Sequence, residues 1–102
     1  MKYQLVLQFP GDSLTDFDEL ASLEQTLEKT LSGTANVDGH DFGAREFNIF
    51  ILTDDPVRAF KLAEPIIEAG KHIQQLKAAY RELQHDRFTM LWPPDLQHFR
   101  IA

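Results

Sequence analysis

The sequence contains no cysteine in its 102 residues. That excludes a disulfide, a thiol nucleophile, and cysteine-ligated zinc or iron–sulfur centres. It suits a reducing compartment, and a cytoplasmic location is the expectation. Long hydrophobic runs are missing too: nothing approaches the ~20 apolar residues of a membrane span. The opening MKYQLVLQFPG has one Lys and an apolar stretch too short and too interrupted for a signal peptide. There is no HExxH, no His pair spaced i,i+4 and no cofactor fingerprint, so no cofactor is expected. Basic charge is scarce, with 10 Lys/Arg against 16 Asp/Glu and a formal net charge of −6. A phosphate backbone needs a basic surface, so neither nucleic acid nor a membrane is an expected partner.

What is present suits one α+β domain over residues 1–102, with 43% hydrophobic residues to build a core. The charge is unevenly spread. Residues 12–55 hold eleven Asp/Glu against Lys29 and Arg45, while residues 56–102 hold seven Lys/Arg against five Asp/Glu. An acidic half of this kind can steer a basic partner, and it also solvates a helix face.

Periodicity supplies the elements. Lys2–Phe9 alternates, with Tyr3, Leu5, Leu7 and Phe9 on one face, and Pro10-Gly11-Asp12 ends it. Ser13 or Thr15 can cap the helix that follows, whose stripe is Phe17, Leu20, Leu23, Leu27 and Leu31; Gly33 stops it. Thr34–Phe42 is a weak second strand, and Gly43-Ala44-Arg45 reads as a hairpin turn with Gly39 and Gly43 supplying positive φ. Glu46–Thr53 is apolar on both faces apart from Asn48, the mark of a central strand; Asn48 reads as a hydrogen-bonded polar residue of the sheet. Asp54-Asp55-Pro56 starts a second helix. Pro65 should kink it near Phe60–Glu64, and Gly70 should end that piece. Ile73, Leu76, Tyr80 and Leu83 repeat at helical spacing, and Phe88–Trp92 is the last strand. The order is βαββαβ, with the second helical region broken near Pro65–Gly70. It resembles the ferredoxin-like split βαβ fold: a four-stranded antiparallel sheet, order 4-1-3-2, with helices on one face.

That topology gathers three loops at one end of the sheet: Pro10–Ser13, His40–Arg45 and His85–Arg87. His40, Asp41 and His85, with Asp12 or Asp86, become the weak candidates for a metal or proton-transfer site. Turn chemistry explains the same residues without a site. Asp54 and Asp55 fall at the other end, near Trp92, as capping residues. The order is also similar to that of acylphosphatases, a family with a phosphate-binding Arg after the first strand and an Asn that positions water. The loop PGDSLTD has no Arg, and Asn48 lies in the third strand, so that activity is not expected.

The face turned away from the helices would carry Gln4, Val6, Gln8, Asn48, Phe50, Leu52, Thr89 and Leu91, with Phe88, Met90 and Trp92 on the helix side. Half of those eight residues are bulky and apolar, so the face calls for a cover. Either the tail, Asp95–Ala102, lays Leu96, Phe99 and Ile101 on it, or a second copy packs sheet to sheet as in dimeric α+β-barrel proteins. GHDFGAREFNIFILTDDP, LKAAYREL and LWPPDLQHF resemble segments of a group of small bacterial proteins of uncharacterised function. The resemblance implies a bacterial cytosolic origin and carries over no reaction or catalytic residue. The leading expectation is a protein-interaction module, of which a toxin-neutralising immunity protein is one version. Its acidic helix face (Asp16, Asp18, Glu19, Glu24, Glu28) would meet a basic partner. The rival is a small enzyme or ligand- or metal-binding domain using His40, Asp41 and His85.

Overall fold

The computed structural model describes all residues, Met1–Ala102. Its elements are β1 (Tyr3–Pro10), α1 (Leu14–Leu31), β2 (Ala35–Gly43), β3 (Glu46–Thr53), α2 (Pro56–Ala69), β4 (Lys77–Glu82) and β5 (Thr89–Trp92). A single 3-10 turn, Ile73–Gln75, joins α2 to β4. The fold is α+β: two helices and one antiparallel sheet of five strands, ordered β2-β3-β1-β4-β5.

The fifth strand corrects the expected four. Lys77–Glu82 had the spacing of a helix, and its Lys, Ala and Glu favour one. It folds as β4 because β1, buried along its length, needs a partner on the side away from β3. Lys-Ala-Ala-Tyr-Arg-Glu serves equally well at period two, and tertiary pairing overrides local propensity. Leu7 pairs with Ala78 and Val6 with Ala79; all four side chains are fully buried. Small Ala side chains let the sheet be covered closely on both faces there. The strand read as last, Phe88–Trp92, therefore lies one position further out, as β5.

α1 opens on a capping box. The Asp16 N–H donates to Ser13 Oγ at 3.1 Å, and the N–H groups of Ser13 and Asp12 donate back to Asp16 Oδ2. Hydrogen bonding to the Ser13 side chain, and then to the Asp12 N–H, holds the Asp16 pKa below its ordinary value of 3.8. Asp55 caps α2 by accepting from the Arg58 N–H, with Pro56 in the first turn. Asp54 does not cap: it accepts the Lys2 N–H and so fastens the start of β1. α2 continues through Pro65 and ends at Gly70, so the expected break is only the helix end.

Both helices cover one face of the sheet. Leu20, Leu23, Leu27 and Leu31 of α1 and Ala59, Phe60, Ala63 and Ile67 of α2 meet Leu5, Leu7, Phe9, Phe47, Ile49 and Ile51. No helix is long and apolar enough to cross a membrane.

A register irregularity in β5 separates two residues expected to share the helix face. Ala78 pairs with Trp92, and Ala79 with Met90, so Leu91 is the extra residue. Trp92 turns to the helix side, 6.3 Å from the Phe60 ring, and its Nε1–H donates to the Ile73 carbonyl. Met90 faces the other way. Because β5 runs antiparallel to β4, Trp92 also lies well away from Asp54, the reverse of the expected neighbourhood.

Candidate functional site

Two of the three expected loops meet. The Gly11 N–H donates to the Arg45 carbonyl at 3.0 Å, which ties the β1–α1 loop to the β2–β3 turn. In that turn the positive φ angles fall on Ala44 (51°) and Arg45 (64°), and not on Gly43; Gly39, at φ 120°, sits in a bulge after Asp38. The third loop is elsewhere. β4 ends with Glu82 opposite Tyr3, and the Leu83 N–H donates to the Lys2 carbonyl. His85 therefore stands at the starting end of β1, paired with Glu82 at 3.3 Å. Arg81 fixes its loop by donating to the carbonyls of Glu82, Leu83 and His85.

The proposed His40–Asp41–His85 grouping is thus corrected by the added strand. His40 is on β2 and His85 follows β4, with β3 and β1 between them. His40 and Asp41 also point to opposite faces: His40 pairs with buried Ile49 of the core, Asp41 with Asn48 of the far face. No group of three His, Asp or Glu side chains is placed to hold a metal ion.

His40 has a different partner. Its Nδ1 lies 2.8 Å from Glu24 Oε1 of α1, a spacing at which an Nδ1–H donates to the carboxylate. Its ring stacks on Phe47 at 4.8 Å and meets the edge of Phe17 at 5.6 Å. The arrangement supplies an oriented imidazole, and no Ser, Thr or Tyr hydroxyl is hydrogen-bonded to it. Mechanically it pins α1 to β2.

The five acids of α1 do not form one face. At about 100° per residue, Glu19 lies on the α2 side, Asp18 outward, and Glu24 and Glu28 on the β2 side. Asp16 is occupied as the capping-box partner and Glu24 by His40. Glu28 remains, one helical turn beyond Glu24 on the same side, and β2 carries two further exposed acids, Asp38 at its bulge and Asp41 on the face away from α1. None of these three acids is in an ion pair. β2 is the outermost strand, so one side of its backbone has no strand partner.

The face away from the helices carries a polar network the sequence marked only at Asn48. Asn48 (1% exposed) and Gln8 (7%) sit opposite each other on β3 and β1. Gln8 Nε2 donates to Asn48 Oδ1 and to the Arg100 carbonyl, both at 3.0 Å. Glu46 accepts from Asn48 Nδ2 at 3.3 Å and from the Ala102 N–H at 2.7 Å. Phe99 packs against Phe88 with centroids 4.9 Å apart. The segment 99–102 thus runs from beside β5 to the top of β3. The sequence placed Gln8 on this face with Asn48; what it did not show is that the Gln8 amide ties Asn48 to the tail.

No family model matches the chain, and no curated protein or solved structure matches it.

Proposed function

We propose that this chain is a protein-interaction module whose basic partner docks on the flank formed by α1 and the free side of β2. The first four strands and two helices are read as a ferredoxin-like unit, on the strength of their order, with β5 appended beyond β4. A cytoplasmic setting is part of the same reading.

The observation that carries it is the coincidence of an open strand edge with unneutralised acid. β2 has no neighbour on its outer side, and Asp38 and Asp41 of β2 and Glu28 of α1 have no cationic partner. An extended segment can add to such an edge through its main chain, with alternate side chains giving selectivity. Charge and the bulge at Asp38–Gly39 disfavour pairing with a second copy, because like acidic edges repel. A strand with Lys or Arg at alternate positions meets no such barrier.

The test is an amide-shift titration with a synthetic peptide alternating Lys and Val. Shifts concentrated on Ala35–Gly43 and the β2 side of α1 are expected, with affinity falling as salt rises. Glu28→Lys combined with Asp38→Lys should weaken binding by roughly tenfold or more. Shifts centred on Thr89–Trp92, or an affinity indifferent to the double reversal, would sink the proposal.

A further inference from the structure

We propose that the cleft between the C-terminal segment and the helix-free face of the sheet binds a small polyanion, a compact molecule carrying phosphate or several carboxylates. This site lies on the opposite face of the sheet from α1, and it does not depend on the partner reading above.

The cleft has a volume of about 440 Å³ and is lined by Gln8, Glu46, Lys77, His98, Phe99, Arg100 and Ala102. A second hollow of about 180 Å³ shares Gln8, Glu46 and Lys77 and adds Arg45. The larger of the two falls within the range of small-ligand sites. Its chemistry runs against that of the molecule. In a chain with 16 acids and 10 bases, three bases from three separate segments converge here: Arg45 from the β2–β3 turn, Lys77 from β4 and Arg100 from the tail. None of them has a carboxylate within 4.0 Å. The acid that lines both hollows, Glu46, is already engaged by Asn48 and the Ala102 N–H. His98 adds a further nitrogen.

The floor is built as well as charged. Gln8, which lines both hollows, is more than nine-tenths buried, and it is held in place by buried Asn48, which lines neither. The Gln8 amide also holds the tail, through the Arg100 carbonyl. A guanidinium and an ammonium among the lining residues suit an anion with at least two charged oxygens: Arg presents a planar fork, Lys a point charge. An anion bridging Lys77 and Arg100 would join the sheet to the tail, so binding and tail ordering would be coupled.

The experiment titrates the full chain with inorganic pyrophosphate and, separately, with citrate, read by backbone and side-chain amide shifts and by amide exchange. Saturable binding of at least one is expected, with the largest shifts at the Gln8 side-chain amide, Lys77 and Phe99–Ala102, and slower exchange of the tail amides. Pyrophosphate alone would identify a phosphorylated ligand, and citrate alone a polycarboxylate. Lys77→Glu and Arg100→Glu should each weaken binding by about tenfold or more. Both side chains are exposed, so both variants should fold. Lys29→Glu makes the same charge change on α1 and should alter affinity by less than about twofold. The proposal is overturned if neither anion saturates, if the shifts map elsewhere, or if Lys29→Glu weakens binding as much as Lys77→Glu.

Discussion

The two faces of this sheet are covered by different physics. Toward the helices, Leu5, Leu7, Phe9, Phe47, Ile49 and Ile51 meet the leucine stripe of α1 and the small and apolar side chains of α2. That contact is non-directional and grows with the area removed from water. On the other face Val6 and Ala79 are as fully buried. Around them lie Gln8, Asn48 and Glu46, and part of the cover is a segment of four residues fastened by two side-chain hydrogen bonds to its backbone and one aromatic contact. A polar floor under a short strap fixes one arrangement and leaves room beside it. An apolar floor under two helices is filled by their side chains, and the hollow of about 530 Å³ on that side is lined by α1, α2 and the turn after α2, with no sheet residue. The difference says where stability should reside and where a ligand can enter.

The largest expected effect tests the helix-covered side. Leu27 is fully buried in the α1 stripe. Leu27→Ala should cost about 2–5 kcal/mol, as lost transfer energy plus a cavity. For a domain of this size that is a fall in Tm of well over ~10 °C. Thermal and urea melts measure it. A loss under about 1 kcal/mol would mean that this layer collapses onto the gap and is not the rigid half of the molecule.

Much of that half was legible in the sequence, and for a physical reason. Tyr3–Pro10 and α1 each carry a period that only one element satisfies, Glu46–Thr53 is a short apolar run bounded by turn residues, and Ser13 and Asp55 stand where caps are needed. The other half was not legible, because Ile73–Leu83 satisfies two periods at once. Its Ala-rich composition favours the wrong one, and the deciding term is the open side of β1, which no local window contains. One misread strand put His85 beside His40 and hid Lys77 in a helix, while the irregularity at Leu91 turned Met90 away from the helices. The candidate site failed at the same point. Histidines 40 and 85 were grouped by the topology, not by spacing. Gln8 and Lys77 become neighbours only in the observed register.

The next effect is smaller and belongs to the polar face. Asn48→Leu removes a partner from half-buried Glu46 and from Gln8, whose amide stays buried. It should cost about 1–3 kcal/mol. Gln8→Leu alone should cost a similar amount. The informative quantity is the double variant: with both amides replaced, fewer buried groups are left unpaired, so its cost should fall short of the sum of the singles. Strict additivity would show that the two amides do not act as a unit. Amide exchange of Phe99–Ala102 should speed up in every variant lacking Gln8, because its amide holds the Arg100 carbonyl.

The smallest effect is electrostatic and returns to the start of α1. Asp16 titrates below its ordinary value because Ser13 and the Asp12 N–H hydrogen-bond to it, and the helix N-terminus favours its charged form. A carboxyl whose pKa is lower folded than unfolded adds stability that is fully present above the unfolded value. That stability is lost as the pH falls through the folded value. Wild type should therefore exceed Asp16→Asn in Tm near neutrality, and the gap should close as the pH drops below about 4. Asn keeps an oxygen that can accept from the Ser13 and Asp12 N–H groups, so the variant isolates the charge from the hydrogen bonds. The site is at the surface, so the gap should also shrink in high salt. A gap that stays constant from neutrality to about pH 3 would assign the effect to packing of the first turn, and the capping box would then hold α1 over the apolar face by geometry alone.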